Sequence, residues 1–387
     1  MKSFVQYNPT PVFFGRGRHH QVGDLVKEHS DAVLLVVEGG IPPLEKVYEE
    51  VRQELKANHI RWEELHGVQP NPRLKKAEEG VALCREKGLT MVLAVGGGSV
   101  IDTAKAIALG ACYDGALWDF FSGKAEPKNA LPVGVVLTIP AAGSEGSCGC
   151  VITKEEGELK RDCVSPLEYP VFAILNPELC VTLPPRQIAA GGADMMAHVM
   201  ERYFSNEPNT DLSDRLCEAV MQSLLLNVPK VVADRKDVDA WAEVMWGGNM
   251  AHNGLVGQGR QDDWASHKIG HEISAVYDIP HGFTMALVFP AWMKTMYPHG
   301  RKIFLQFAVR VMGVTPIPGD DDATILEGIA RFEEYLRAIG APVRLSELGI
   351  GDDRFQEMAE KCCEHGTVGN LYPVGKAEVV EILRKAL

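Results

Sequence analysis

Residues 91–102 read MVLAVGGGSVID: five apolar residues of a buried strand, three glycines, and the start of a helix rich in small residues. Because they lack a Cβ, Gly97 and Gly98 allow the backbone to approach a pyrophosphate, whose charge the N–H groups of the helix start then face. Ser99 is also suited to be the N-cap of this helix. The stretch is neither the GxGxxG fingerprint nor a Walker A loop, since no Gly-Lys-Ser/Thr follows. It predicts a nucleotide-binding loop, with a plain tight turn as the alternative.

The same alternation of apolar strands and amphipathic helices runs through the first half of the chain, which is typical of βαβ units. We predict strands at Ala32–Val37, Met91–Val95, Val133–Thr138 and Val171–Leu175, and helices at Pro43–Ala57 and Leu74–Lys87. From Leu183 onward the strand-like runs vanish, and helical stretches separated by Pro and Gly continue to the last residue. The prediction is an α/β, doubly wound (Rossmann-like) domain over residues 1–183 and an all-α helical domain over residues 184–387.

Composition agrees with two folded domains. The chain has 387 residues, 46% of them hydrophobic and 24% charged, as in ordinary globular proteins. Its formal net charge of −13 argues against an extended nucleic-acid surface, which needs clustered Lys and Arg. We find no signal-peptide h-region and no run of ~20 apolar residues, and the nine cysteines show no zinc-finger or disulfide spacing. We therefore expect a cytoplasmic protein with reduced thiols and without a membrane or nucleic-acid partner.

A second loop follows the predicted strand Val133–Thr138. Residues 137–147 read LTIPAAGSEGS and are dense in small hydroxyl side chains. This composition suits the second wall of a nucleotide cleft, and a plain Pro/Gly turn is the alternative.

Glu38 follows the predicted strand Ala32–Val37 directly and precedes two glycines. In doubly wound domains an acidic residue at the end of the second strand accepts hydrogen bonds from the adenosine ribose and repels a 2′-phosphate. Glu38 therefore predicts that NAD(H) is preferred over NADP(H). The alternative is a solvated glutamate at a strand end.

Five residues of the C-terminal half have the spacing of metal ligands. Asp194 and His198 stand at i and i+4, on one face of a helix. His267 and His271 repeat this spacing, and His281 follows ten residues later between a proline and a glycine. A single histidine of this kind is more often a hydrogen-bonded surface residue, but two such pairs and a His-Gly turn together predict a metal site. Four N/O ligands without a thiolate suit Fe²⁺ or Zn²⁺, and five candidates compete for about four places.

On these residues the chain resembles the iron-containing alcohol dehydrogenases, and within them the butanol dehydrogenase and aldehyde reductase branch. The resemblance covers essentially the whole chain, and its most specific part is the spacing His-x3-His-x9-His-Gly. It runs through Asn8–Thr10, Gly96–Asp102, Gly191–Glu201, Trp264–Gly282 and Leu345–Gly349. It implies a homodimer that acts on a small aldehyde or alcohol.

The resemblance also implies roles for individual residues. The metal ligands would be Asp194, His198, His267 and His281. His271 would lie beside the substrate, where it passes a proton to solvent or, as the alternative, orients His267 or packs the cleft. The residues that would meet the cofactor are Gly97, Gly98 and Ser99 at the pyrophosphate, Asp102 near the nicotinamide, Thr138 and Ser147 on the second loop, and Lys160 near the ribose. Where the family often reads Thr-Thr-Ala-Gly-Thr-Gly-Ser-Glu, this loop carries Ile139–Ala142, which leaves its individual phosphate contacts open but not the cleft.

The predicted function is NAD(H)-linked interconversion of small aldehydes and primary alcohols by hydride transfer, with the metal as Lewis acid. The main alternative is a metal- and NAD-dependent sugar-phosphate cyclase, a lyase of similar fold. Such an enzyme needs several Lys and Arg converging on a phosphorylated substrate. The segment Asp194–His281 offers few basic residues, most of them expected at helix ends or on exposed faces. A non-enzymatic metal- or nucleotide-binding role is the third reading.

Overall fold

The computed structural model describes residues 1–387 and packs them into two compact units. The α/β unit comprises residues 7–183 and 235–249, and the helical unit comprises residues 1–6, 184–234 and 250–387. The predicted boundary at 183/184 is one of the points where the chain passes between units, but two segments depart from the predicted division. The amide of Lys2 donates to the carbonyl of Gly259 at 2.8 Å, which joins the N-terminal residues to the helical unit. Arg16 donates to Asp239 at 2.8 Å within the α/β unit.

The α/β unit contains one parallel sheet of six strands and a separate antiparallel hairpin. The sheet strands are β1 (Val12–Phe14), β2 (Ala32–Val37), β3 (Arg61–Leu65), β4 (Met91–Gly96), β5 (Val133–Leu137) and β8 (Phe172–Leu175), in the order β1-β8-β5-β4-β2-β3. The hairpin consists of β6 (Gly149–Lys154) and β7 (Leu159–Val164). The central strands β4 and β5 are buried along their whole length, as strands covered by helices on both faces must be.

The strand order places a topological switch between β2 and β4. From β2 the chain moves to β3 on one side, and then returns to form β4 on the other side of β2. Val37 of β2 pairs in parallel with Val95 of β4, so the residues that follow both strands lie at the same edge of the sheet. Open α/β sheets bind their ligands outside the carboxyl ends of the strands at such a switch. Glu38 and the glycine-rich loop both lie at this edge, the switch edge of the sheet.

The α/β unit contains six helices, of which α2 covers the sheet with an apolar face. They are α1 (Val22–Lys27), α2 (Pro42–Ala57), α3 (Leu74–Lys87), α4 (Gly98–Ala111), the short α5 (Trp118–Phe121) and the first residues of α8 (Val238–His252). In α2, Leu44, Val47, Val51 and Leu55 recur at helical spacing and are buried in the same core as the apolar strand residues of β2. Burial of this face against the sheet holds α2 in place.

The helical unit contains no strand. Its helices are α6 (Pro185–Tyr203), α7 (Asp211–Ala233), α9 (Ala265–Tyr277), α10 (His281–Met296), α11 (Arg301–Gln306), α12 (Asp321–Ala338), α13 (Phe355–Cys362) and α14 (Lys376–Ala386). Helix α6 is buried along its last thirteen residues and packs against both α7 and α10. A doubly wound α/β part followed by an all-helical part is the fold class predicted from the sequence, which is confirmed.

Helix α7 is long and apolar enough to cross a membrane by length and composition alone, with a mean hydropathy of 1.3 over its most apolar window. Its buried residues follow one face, among them Cys217, Met221, Leu224 and Val228. Glu218 on this face accepts a hydrogen bond from the hydroxyl of Tyr203 at 2.9 Å. The helix is thus buried on one face, and a single helix that passes this test is weak evidence for a membrane span.

Candidate metal centre and nucleotide-binding loop

The glycine-rich loop lies so close to the second loop that a side chain at Gly97 or Gly98 would require its neighbour to shift. A Cβ at Gly97 would come within 3.0 Å of Ile139, and one at Gly98 within 3.0 Å of Ala142. Gly97 is the N-cap of α4, and no side chain caps this helix. The interpretation of Ser99 as the N-cap is therefore wrong, because this residue lies in the first turn. The first N–H groups of α4 are those that a helix leaves without an internal acceptor.

Asp102 ties the second loop to the start of α4. Its carboxylate accepts hydrogen bonds from the hydroxyl of Ser144 at 2.7 Å and from the amide of Val151 at 3.0 Å. Burial raises the pKa of Asp102, and the nearby charge of Lys105 acts in the opposite direction. Asp102 thus has a structural function in the loop, and its proximity to the nicotinamide stays a prediction.

Lys105 is the residue of this region that the sequence analysis missed. It is fully buried one turn after Asp102, and its ammonium group donates to three backbone carbonyls. These belong to Ser144 (2.7 Å), Ser147 (2.8 Å) and Gly149 (2.9 Å). All three donors of the ammonium are therefore used, which offsets the cost of burying its charge. Together with Asp102, this side chain holds the loop that carries Ser147 against α4.

Two buried polar atoms at the switch edge of the sheet have no hydrogen-bond partner within the protein. They are the Oγ1 of Thr138, at the end of β5, and the Oε2 of Glu38, at the end of β2. Burial also raises the pKa of Glu38. Buried polar groups are nearly always paired in native proteins, so these two atoms are available to a ligand or a water molecule. A nucleotide with ribose hydroxyls fits both the atoms and the glycine cradle beside them.

Lys160 lies on β7 and is buried. Its ammonium group donates to the Oδ1 of Asn71 at 2.9 Å. This contact accounts for the position of Lys160 within the α/β unit. A contact of Lys160 or of the Ser147 side chain with the cofactor stays a prediction.

Three of the predicted metal ligands converge in the helical unit. Asp194, His267 and His281 each offer one ligand atom, and these atoms lie within 4.8 Å of one another. The Nε2 of His281 is 3.7 Å from the Oδ1 of Asp194, and the rings of His267 and His281 are 5.2 Å apart. Asp194 and His267 are buried, and His281 is partly exposed. One carboxylate and two imidazoles at these separations form a set that Fe²⁺ or Zn²⁺ accepts.

The close approach of α6 and α10 brings these residues together. A Cβ at Gly282 would collide with the carbonyl oxygen of Ala190, so only glycine permits this crossing of the two helices. His281, the first residue of α10, is thereby carried next to Asp194 on α6. The close packing of α6 and α10 thus explains why a glycine follows His281 in the sequence.

His198, the fourth predicted ligand, lies beside this group of three but is not part of it. Its ring centre is 4.7 Å from that of His267, and its Nδ1 is 2.9 Å from the carbonyl oxygen of Asp194. Since a carbonyl only accepts, Nδ1 carries the proton and Nε2 has the lone pair that a metal needs. Burial, followed by the charges of His267 and Arg202, holds the pKa of His198 well below its usual value. A neutral His198 is the form that binds metals.

His267 is held by a carboxylate that the sequence analysis did not identify. The Nδ1 of His267 is 2.6 Å from the Oε1 of Glu201, one turn of α6 beyond His198. Metal-binding histidines usually donate their other ring N–H to such a carboxylate. Burial raises the pKa of Glu201 to about 8, and the amides of Trp264 and His267 act in the opposite direction. The residues of this centre fit a divalent metal.

His271 lies one turn after His267 on α9 and is buried. Its ring centre is 5.2 Å from that of His281. His271 is thus next to the metal centre but outside the group of three converging residues. Its function as a proton relay stays a prediction.

In a second group of possible ligands, His19, His20 and Glu50, protein groups engage both ring nitrogens of His19. The Oδ1 of Asn176 accepts from the amide of Glu178 at 3.0 Å, so its Nδ2 must donate to the Nδ1 of His19, also at 3.0 Å. The Nε2 of His19 therefore carries the proton, which it donates to Glu50 at 2.9 Å. His19 and Glu50 therefore belong to a hydrogen-bond network of the α/β unit.

Both halves of the chain match models of known protein families. Residues 9–177 match the family described as "Iron-containing alcohol dehydrogenase", and residues 188–387 match "Fe-containing alcohol dehydrogenase family, C-terminal". The "Probable NADH-dependent butanol dehydrogenase 1" of Bacillus subtilis is 40% identical over 387 residues, which is 100% of both chains. The "NADPH-dependent aldehyde reductase YqhD" of Escherichia coli is 36% identical and covers 95% of this chain and 94% of its own.

A solved structure shows the same architecture. The NADH-dependent butanol dehydrogenase A of Thermotoga maritima superimposes with a TM-score of 0.95 at 36% sequence identity. The match covers 100% of this chain and 99% of the other.

Proposed function

Because the chain belongs to the iron-containing alcohol dehydrogenase family, we propose that it interconverts small straight-chain aldehydes and primary alcohols with NAD(H) and one Fe²⁺ or Zn²⁺. Metal-dependent alcohol and aldehyde oxidoreduction with a nicotinamide cofactor is the activity that this membership supports. The observation that carries the proposal is the convergence of Asp194, His267 and His281, with His267 held by Glu201.

Each residue of the two sites has a task in this reaction. When bound, the metal supplies Lewis acidity to the substrate oxygen and the nicotinamide supplies the hydride. Asp194, His198, His267 and His281 would hold the metal. Gly97 and Gly98, at the start of α4, would bind the pyrophosphate of the cofactor. His271, which lies beside His281, would pass the alcohol proton toward solvent.

The sugar-phosphate cyclase alternative is not favoured. Two of the arginines in the segment Asp194–His281 are buried and already bind protein groups. Arg202 donates to the carbonyl of His198 at 2.7 Å and lies over the ring of Trp264. Arg260 donates to Asp214 at 2.5 Å. Both guanidinium groups therefore already serve protein acceptors.

The proposed activity is tested by NADH consumption with butanal on protein reloaded with Fe²⁺ or Zn²⁺ separately. We expect turnover with butanal and other straight-chain aldehydes, loss of turnover in metal-free protein, and none with phosphorylated sugars. A protein that binds NADH and metal but reduces no aldehyde would contradict the proposal. Turnover of a phosphosugar without net NADH consumption would favour the lyase instead.

The preference for NADH over NADPH is a further part of the proposal, since relatives named for either cofactor exist. It rests on Glu38, whose partly buried carboxyl group has a buried oxygen without a protein partner at the switch edge. Ribose hydroxyls can donate to this oxygen, whereas a 2′-phosphate would place like charges together. We expect the wild type to favour NADH by roughly tenfold or more, because such a juxtaposition costs several kcal/mol when poorly solvated.

Replacing Glu38 by Ser should reduce or reverse this preference, since the serine hydroxyl neither repels nor excludes the phosphate. The measurement is kcat/KM for NADH and NADPH with butanal. Glu86→Ser is the control. This exposed residue lies near the C-terminal end of α3, just before β4 begins and therefore away from the switch edge, where β4 ends. A wild type that prefers NADPH, or an unchanged ratio in Glu38→Ser, would remove Glu38 from the site.

We also propose that the protein works as a homodimer in the cytoplasm, without a membrane or nucleic-acid partner. The N-terminal segment supports the dimer, because Met1, Phe4 and Val5 are exposed there, Val5 by 87%. Adjacent exposed apolar side chains commonly mark protein interfaces. All nine cysteines are free, as thiols are in a reducing compartment.

A further inference from the structure

We propose that Glu201 is a positioning residue for the metal centre: its carboxylate sets the orientation and tautomer of His267 and also the point where helix α9 begins. This inference rests on the proposed function, because it assumes that His267 binds a metal. Glu201 is fully buried on α6, one turn after His198 and two after Asp194. None of the ligand-spacing patterns in the sequence includes it.

Three N–H groups of one short segment point at this carboxylate. The Oε1 of Glu201 is 2.6 Å from the ring Nδ1 of His267 and 3.1 Å from its backbone amide. The Oε2 accepts the backbone amide of Trp264 at 2.6 Å. The backbone of His267 and its imidazole are thus held by the same oxygen atom, so the ring can hardly rotate without breaking a contact.

These contacts decide which nitrogen of His267 is offered to the metal. When Glu201 is ionised, both of its oxygens only accept, so the ring Nδ1 of His267 is the donor in this contact. The lone pair is then on Nε2, the atom directed to the metal when Nδ1 is engaged in this way. A glutamine at position 201 has one acceptor oxygen and an NH₂ group. It could not accept from both Trp264 and His267.

The same carboxylate stabilises an unusual backbone conformation. Trp264 is the N-cap of α9 and has a φ of 66°, in the left-handed region that bulky residues rarely adopt. Its amide is held by Glu201, and the guanidinium of Arg202 lies 4.8 Å from the centre of its ring. The amide of Asp263 donates to the backbone carbonyl of Glu201 at 2.9 Å. The start of α9 is therefore joined to α6 next to Asp194 and His198.

The test is the metal affinity of Glu201→Gln, measured with Zn²⁺ in competition with a chelator on the full chain. We expect Kd to rise by roughly 10- to 100-fold, the usual effect of removing a partner that orients a metal ligand. Glu218→Gln is the matched control. Glu218 is also a buried carboxylate of the helical unit and accepts from Tyr203 and Gln306. Its variant should keep the wild-type Kd even where its Tm falls as much as that of Glu201→Gln.

A second measurement needs no variant at position 201. In zinc-loaded wild type labelled with ¹⁵N-histidine, His267 should show a protonated Nδ1, with its signals identified by their loss in His267→Gln. A protonated Nε2, or an unchanged Kd in folded Glu201→Gln, would overturn the inference. A wild type that binds Zn²⁺ with the expected tautomer but reduces no aldehyde would instead count against the proposed function alone.

Discussion

Replacement of His281 by Ala is expected to remove the metal and to lower kcat/KM for butanal by about 10³-fold or more. His281 supplies one of the three ligand atoms of the metal centre that lie within 4.8 Å of one another, and without it only Asp194, His198 and His267 of the four assigned ligands remain to hold the ion. A metal acting as Lewis acid contributes several kcal/mol to transition-state stabilisation, and about 4 kcal/mol corresponds to 10³ in rate. Elemental analysis and steady-state kinetics on the reloaded protein measure both effects.

His198→Ala extends this test to the ligand that lies beside the group of three. We expect the same loss of metal, since the Nδ1–H of His198 is engaged by the Asp194 carbonyl and leaves Nε2 for the ion. NADH binding should persist in both variants, because Gly97, Gly98 and Glu38 belong to the α/β unit. His365→Ala, at an exposed histidine of the helical unit, is the control. Full metal content in both ligand variants would contradict the assignment.

Most of the parallel sheet could be predicted because its central strands are uninterrupted apolar runs. Strand β2 and helix α3 have the predicted bounds, and the other three predicted strands differ from them by one residue at one end. Strand β3 was missed because Arg61–Leu65 reads RWEEL, with polar residues on a partly exposed edge strand. Strand β1 is only three residues long, and the β6–β7 hairpin has mixed polar and apolar positions. Neither shows the hydrophobic periodicity from which a strand is predicted.

The candidate site could be predicted to the extent that its chemistry is local in sequence. The i,i+4 spacing of Asp194 and His198 is visible because one helix carries both residues. Glu201 and Lys105 were missed because a lone charged residue on a helix usually faces solvent. The partner of Glu201 on α9 is 66 residues away, and the first partner of Lys105 on the second loop is 39 residues away. These residues become neighbours only after folding. Tertiary contacts of this kind leave no spacing in the sequence.

The second large effect is expected at His271, where replacement by Ala should lower kcat by about 10²-fold while the metal is retained. The residue is buried one turn after His267, with its ring 5.2 Å from that of His281. General acid–base groups typically contribute 10²- to 10⁴-fold, and the lower value applies where water can partly replace the side chain. Because His271 would act on the proton and not on substrate binding, KM should change little. Metal content, kcat and the pH dependence of kcat are the measurements.

His271→Gln separates proton transfer from packing. Glutamine fills much of the space of the imidazole and forms hydrogen bonds, but it does not exchange a proton near neutral pH. If His271 relays protons, Gln and Ala slow the reaction alike and both alter the pH profile of kcat. If it only supports His267, Gln restores most of the activity and the pH profile stays that of the wild type. A metal-free His271→Ala protein would make His271 a ligand in place of one of the four assigned residues, and His198, outside the group of three, would be the first to be reassigned.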